Sequence, residues 1–361
     1  MRKILLSVIS IMMLILPACS NIDATTPKSI TNSQEELAKR AERKTGKEGS
    51  PVVIKKNRVL PRPFCAENEC AKIGDEYLAK IQKKHGDFLK VLNWTTSEKY
   101  KEYTEVFSYK VVDGKLQDPK KIHSNWETIK NNEIKAKEIW DLWNSIAPEK
   151  QKSMVRSFSL FTANDFLAEV DREYDNRDDQ VYWRLGVNIG AEANKKLITA
   201  VFVHELGHII TLDQYQIPYD VKYVNYLSHK VFERLAQKIE NNCKTFFMKN
   251  EGCSLPDSYI NQFYQKYWND IADEWKSLDV SHNEKSLTSF YRRHKAKFVT
   301  EYAATSPSED IAETFSYFVL QPKPTNLNTI RNQKIAFFYE YPELVELRTI
   351  LLSHIYKEFE R

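Results

Sequence analysis

The chain has 361 residues, of which 42% are hydrophobic and 28% charged, and a formal net charge of +4. Arg2 and Lys3 sit in an N-terminal segment that reads as a removable leader, so the remainder carries +2 (4 − 2). A nearly neutral body gives no electrostatic footprint for nucleic acid. The nine glycines form no phosphate-cradling loop, and no internal repeat or low-complexity tract occurs.

Residues 1–18 combine a basic start with an apolar run from Ile4 to Leu16, short for a transmembrane span and fitting a secretory leader. They end in Leu16-Pro17-Ala18-Cys19, which resembles a bacterial lipobox, with Pro17 an unusual residue at its position. The resemblance implies that Cys19 is acylated and anchors the chain to a membrane of the cell envelope. Ser20 in place of Asp implies the outer membrane. A plain leader followed by a coincidental cysteine is the competing reading. Residues 19–60 are polar, rich in Lys, Glu, Ser and Thr, and expected to be a flexible tether.

Residues 61–150 read as a mostly helical region. Helical spacing covers Asp75–Leu92 and Ile122–Ile146, with a strand over Tyr103–Val112 between them. Trp126, Trp140 and Trp143 in the second helix are expected to pack rather than bind a cofactor. Besides Cys19, four cysteines fall in two close pairs, Cys65 with Cys70 and Cys243 with Cys253. In an oxidising compartment such pairs form local disulfides. Neither has the C-x-x-C spacing or the nearby histidine of a second metal site.

A second region, residues 151–361, begins at a soft boundary with strands over Val155–Thr162 and Val181–Ile189. The latter sets Val181, Trp183, Leu185, Val187 and Ile189 against Tyr182, Arg184 and Asn188. It is either an ordinary sheet strand or one that holds an extended substrate by its backbone. Leu197–Leu212 follows, apolar on nearly every side and therefore a buried helix. It carries His204-Glu205-Leu206-Gly207-His208. One helical turn separates the two histidines, so both imidazoles face one spot. Buried histidines flanking a glutamate need a partner that justifies their desolvation, and neutral imidazole suits Zn²⁺. Glu205 is then placed to take a proton from a water whose pKa the metal lowers. Ordinary core histidines are the bland alternative. Gln214 removes the H-E-x-x-H-x-x-G-x-x-H pattern, so the third ligand lies elsewhere. His229, His282 and His294 fall in a long, mostly helical and aromatic-rich stretch, Tyr215–Phe298, and read as surface or structural residues.

The next acidic helix contains Glu309-Asp310-Ile311-Ala312-Glu313. Ser306-Pro307-Ser308-Glu309 is also a capping box with Pro at the first helical position, so Glu309 can be a ligand or only a cap. H-E-x-x-H followed by E-x-x-A-E resembles the gluzincin zinc peptidases. Tyr302, seven residues before Glu309, resembles more narrowly the lethal-factor-like group. The resemblance covers about Val155–Phe359. It implies zinc held by His204, His208 and Glu309, with Glu313 behind them, Glu205 as general base and Tyr302 as oxyanion donor. The long separation of His208 from Glu309 departs from the pattern.

The expectation is therefore an α+β, mainly helical, zincin-like metallopeptidase domain with a small sheet beside the H-E-x-x-H helix. It would bind one Zn²⁺ and cleave protein or peptide substrates as a secreted, lipid-anchored enzyme. A zinc hydrolase of cell-wall amides and a non-catalytic binding lipoprotein that retains the fold are the rival readings.

Overall fold

A computed structural model describes residues 64–91, 103–121, 129–163, 167–175, 177, 178, 180–190, 194–218, 229–249 and 251–361. The leader, Cys19 and the tether lie outside the described residues. From Phe64 to Arg361 the chain forms one unit, α+β and mainly helical, with one mixed five-stranded sheet and a separate two-stranded one.

Helix α1, Glu67–His85, opens the described chain. The hairpin of β1 (Thr104–Val112) and β2 (Lys115–Lys121) follows, turning on Asp113 (φ 50°) and Gly114 (φ 71°). Two left-handed residues match the twist of a tight hairpin. Helices α2 (Ile129–Ile146) and α3 (Glu149–Met154) lead into β3 (Val155–Thr162), β4 (Ala168–Asp175) and β5 (Gln180–Asn188). The strand order is β2-β1-β3-β5-β4, with β3 and β5 parallel and the other pairs antiparallel.

Two points that the sequence leaves open are seen in the sheet. The division after residue 150 is crossed by the sheet itself, because β1 pairs with β3 along most of its length. The strand before the histidine helix, β5, is interior: β3 and β4 take up its backbone groups, so it has no free edge to offer a peptide. Among the described residues the edge strands are β2 and β4, and β4 is the one that flanks β5.

Helix α4, Lys195–Thr211, packs beside β4 and is buried from Leu197 to Thr211. Asn194 caps it by accepting from Leu197 N–H at 3.1 Å. Its dry polar groups bond back to the helix: Thr211 Oγ1 donates to Gly207 O at 2.7 Å. Trp143 of α2 meets Phe202 edge-on, with ring centroids 5.3 Å apart. Next come α5 (His229–Asn242), the short hairpin β6 (Phe247–Met248) and β7 (Gly252–Cys253), then α6 (Tyr259–Tyr267), α7 (Ala272–Ser277) and α8 (Glu284–His294). A 3₁₀ turn, Tyr302–Thr305, runs into α9, Pro307–Leu320, and α10 (Ile330–Phe337) and α11 (Pro342–Glu360) close the fold. Both expected cysteine pairs stand at disulfide distance, with sulfurs 1.90 and 1.94 Å apart.

The N-terminal region holds the two central helices from behind. Lys196 at the start of α4 donates to His85 O at the end of α1. Gln82 of α1 donates to Leu320 O at the end of α9. Arg348 of α11, fully buried, donates to Phe318 O at 2.7 Å and to Gln321 O at 3.2 Å, and pairs with Asp75 of α1. A guanidinium there meets the unpaired carbonyls and negative end of α9.

Candidate metal centre

Helices α4 and α9 cross where neither has bulk. A Cβ added to Gly207 would stand 3.0 Å from Ala312 Cα and 3.3 Å from Ala312 Cβ and O. This close approach brings the first turn of α9 against the middle of α4. His204 Nε2 and His208 Nε2 are 3.1 Å apart, and Glu309 Oε2 lies 3.2 Å from the first and 3.4 Å from the second. All three residues are buried, and among the described residues they are the group of three ligating side chains able to hold a metal ion.

The capping question is answered by where Glu309 points. Ser306 Oγ does accept from Glu309 N–H at 3.1 Å, so the N-cap exists. The Glu309 carboxylate does not reach back to Ser306; Oε2 faces the two imidazoles and Oε1 is buried, without a hydrogen-bond partner among the described residues. Glu313, one turn on, takes the other side of His204: its Oε1 is 2.9 Å from His204 Nδ1. A carboxylate there accepts Nδ1–H and leaves the Nε2 lone pair aimed at His208 and Glu309. Among the described residues, His208 Nδ1 has no such partner.

Electrostatically the centre is built to hold positive charge. Burial pushes His204 down, but hydrogen bonds to Glu309 and Glu313 outweigh it and raise the imidazole well above its usual range. Burial pushes Glu309 up, yet the charge and hydrogen bonds of His208 and His204 hold its carboxyl well below the usual range. A tetrahedron of zinc–ligand bonds of about 2.0–2.1 Å has edges of roughly 3.3 Å. The observed 3.1, 3.2 and 3.4 Å separations fit such a face. Imidazole nitrogen with carboxylate oxygen is also a donor set for transition metals.

No family model, curated protein or solved structure matches this chain.

Glu205 is buried beside this centre, and burial pushes its carboxyl up to about 7 against the opposing charges of His204 and His208. Tyr302 begins the 3₁₀ turn ahead of α9, its ring centroid 5.9 Å from that of His204. His282 and His294 are turned to other work, pairing with Asp279 and Glu274.

Three supporting features were not read from the sequence. Asp310, between the two glutamates, points to the other side of α9, where Trp268 Nε1 donates to Oδ2 at 2.7 Å and Lys334 of α10 forms a fully buried ion pair with it. Thr300 donates to Glu313 Oε2 at 2.7 Å. Edge strand β4 lies alongside α4, and its Arg172 pairs with Glu251 and donates to Ile217 O at 2.9 Å. A lone Thr or Lys carries no sequence signal for such roles. Gly207 did carry one, since a glycine inside an apolar helix marks a close approach.

Proposed function

We propose that the protein is a zinc-dependent peptidase of the gluzincin kind, exported and anchored to the bacterial outer membrane through Cys19. The observation that carries this reading is the convergence of His204 Nε2, His208 Nε2 and Glu309 Oε2, with Glu313 on the other nitrogen of His204. His204, His208 and Glu309 would hold the ion. When bound, zinc acts as a Lewis acid that polarises the scissile carbonyl and makes water acidic enough to attack at neutral pH.

The chain's own residues supply the rest. Glu205, poised by burial near neutrality, takes the proton of the attacking water and returns it to the leaving amine. Tyr302 donates from its hydroxyl to the oxygen that gains charge, a contribution of about 3 kcal/mol to the barrier. Glu313 keeps His204 in the tautomer that ligates. Ferrous iron also uses two histidines and a carboxylate, so the metal is to be identified directly.

The test is metal analysis of the mature protein together with proteomic cleavage-site profiling, wild type against Glu205→Gln. The expected result is one zinc per chain in both and cleavage reduced about 10²–10⁴-fold in the variant. Retained turnover in Glu205→Gln would remove the base. Zinc without peptide cleavage, but with release of fragments from purified peptidoglycan, would move the substrate to cell-wall amides. Mass spectrometry of the wild type and of Cys19→Ala reads the anchor, and a wild type without an acyl group overturns it.

A further inference from the structure

Glu313 is held by two donors. Its Oε1 is 2.9 Å from His204 Nδ1, and its Oε2 accepts from Thr300 Oγ1 at 2.7 Å. The same Thr300 oxygen accepts from Ala303 N–H at 3.0 Å. A backbone N–H can only donate and a hydroxyl has one proton, so the Thr300 proton is the one directed at Glu313. One atom thus ties down the turn that carries Tyr302 and the carboxylate that orients His204.

We propose that Thr300 is a positioning residue of the metal centre, its hydroxyl fixing Glu313 so that His204 presents Nε2 to the metal. The inference rests on reading His204, His208 and Glu309 as a metal site. The physical reason is rotational. A carboxylate with one oxygen anchored has its other oxygen aimed; with neither anchored it turns toward whatever donor or water is near. Once Glu313 turns, the Nδ1–H of His204 has lost its acceptor, and the ring can rotate or take the other tautomer. Partners that orient a ligating histidine in this way typically contribute about 10–100-fold to metal affinity. Thr300 stands one bond further out and belongs at the lower end. It also sets the distance between Tyr302 and His204, because the Tyr302–Thr305 turn is pinned by the same oxygen that pins Glu313.

The test compares zinc affinity, by competition with a chelator of known strength, in the full mature protein and in Thr300→Val and Thr300→Ser. Valine keeps the shape and removes the hydroxyl, whereas serine keeps the hydroxyl. Thr300→Val should bind zinc about 10-fold more weakly, and Thr300→Ser within about twofold of wild type. In the zinc-loaded proteins the downfield Nδ1–H proton resonance of His204 should move upfield in Thr300→Val alone. A role in local stability only would lower the melting temperature and leave both readouts unchanged. Wild-type zinc affinity in Thr300→Val overturns the proposal, whatever its stability. Should that variant fail to fold, Thr300→Ala is measured in its place under the same criterion. A wild type that takes up no zinc would overturn the metal reading itself, and this inference with it.

Discussion

Gly207→Ala probes the crossing on which the centre depends. The added methyl would stand 3.0 Å from Ala312 Cα, and ordinary contact begins at 3.4 Å, so the helices must part by 0.4 Å (3.4 − 3.0). The obstructing atom is backbone, which cannot swing aside as a side-chain tip can. Two terms oppose each other. Alanine in place of glycine favours a helix by about 0.8–1.0 kcal/mol, while overpacking a dense core costs about 1–3 kcal/mol. The net is a loss of up to roughly 2 kcal/mol, or a few degrees in melting temperature. Metal affinity should suffer more. Glu309 and Glu313 flank Ala312 on α9, and a shift of this size is about twice the 0.2 Å tolerance of a well-formed site. We expect zinc binding to weaken by about 10-fold or more. Melting curves with and without zinc, alongside chelator competition, measure both quantities, since a tighter ligand stabilises the folded state more. A variant that binds zinc as wild type does and melts slightly higher would mean that only the helix preference was felt. The close approach would then not govern the centre.

Glu309→Ala should lose zinc under mild chelation, while Glu313→Ala should bind it about 10–100-fold more weakly than wild type; the reverse order in a chelator titration would exchange their roles. Lys334→Met leaves Asp310 buried without its counter-charge, with Trp268 and Thr314 as its side-chain donors among the described residues. It should lose about 3–5 kcal/mol in denaturant unfolding, and a loss below about 1 kcal/mol would contradict the buried pair. Burial pushes His354 below its usual 6.5, so between its folded and unfolded values the unfolded chain binds more protons. This contribution is therefore fully present above pH 6.5 and is lost as pH falls below it. Unfolding midpoints at about pH 7.5 and 5.5 should fall further for wild type than for His354→Asn; equal falls would exclude His354 as the cause.

What could be read in advance depended on whether a residue's partner was near in sequence. His204, Glu205 and His208 share one turn, and the surrounding apolar residues already required a buried helix. Glu309 was ambiguous because the cap and the ligand use the same residue, and only the direction of its carboxylate separates them. Strand β4 escaped notice because its alternation runs through acids, Glu169, Asp171, Glu173 and Asp175, which disfavour strands on average. They lie where Arg184 of β5 pairs with Glu169 and Asp171. The Asp113-Gly114 pair is a legible hairpin signal, and the strand beyond it, β2, follows from that turn. Thr300 and Lys334 acquire their roles from residues brought near only by the fold.

The clasp between the first and last described helices has a bearing on when the protein can become itself. Thr349 donates to Cys70 O across 279 positions, and Arg348 meets Asp75 across 273. That same arginine supplies the donors for the end of α9. A ribosome delivers α4 and α9 well before the helix that secures them, and closures over such distances are slow. Under the proposed export, the polypeptide crosses the inner membrane before its two ends can meet. The ion it would bind would then be chosen by the metals of the compartment where folding finishes, not by those of the cytoplasm where translation begins.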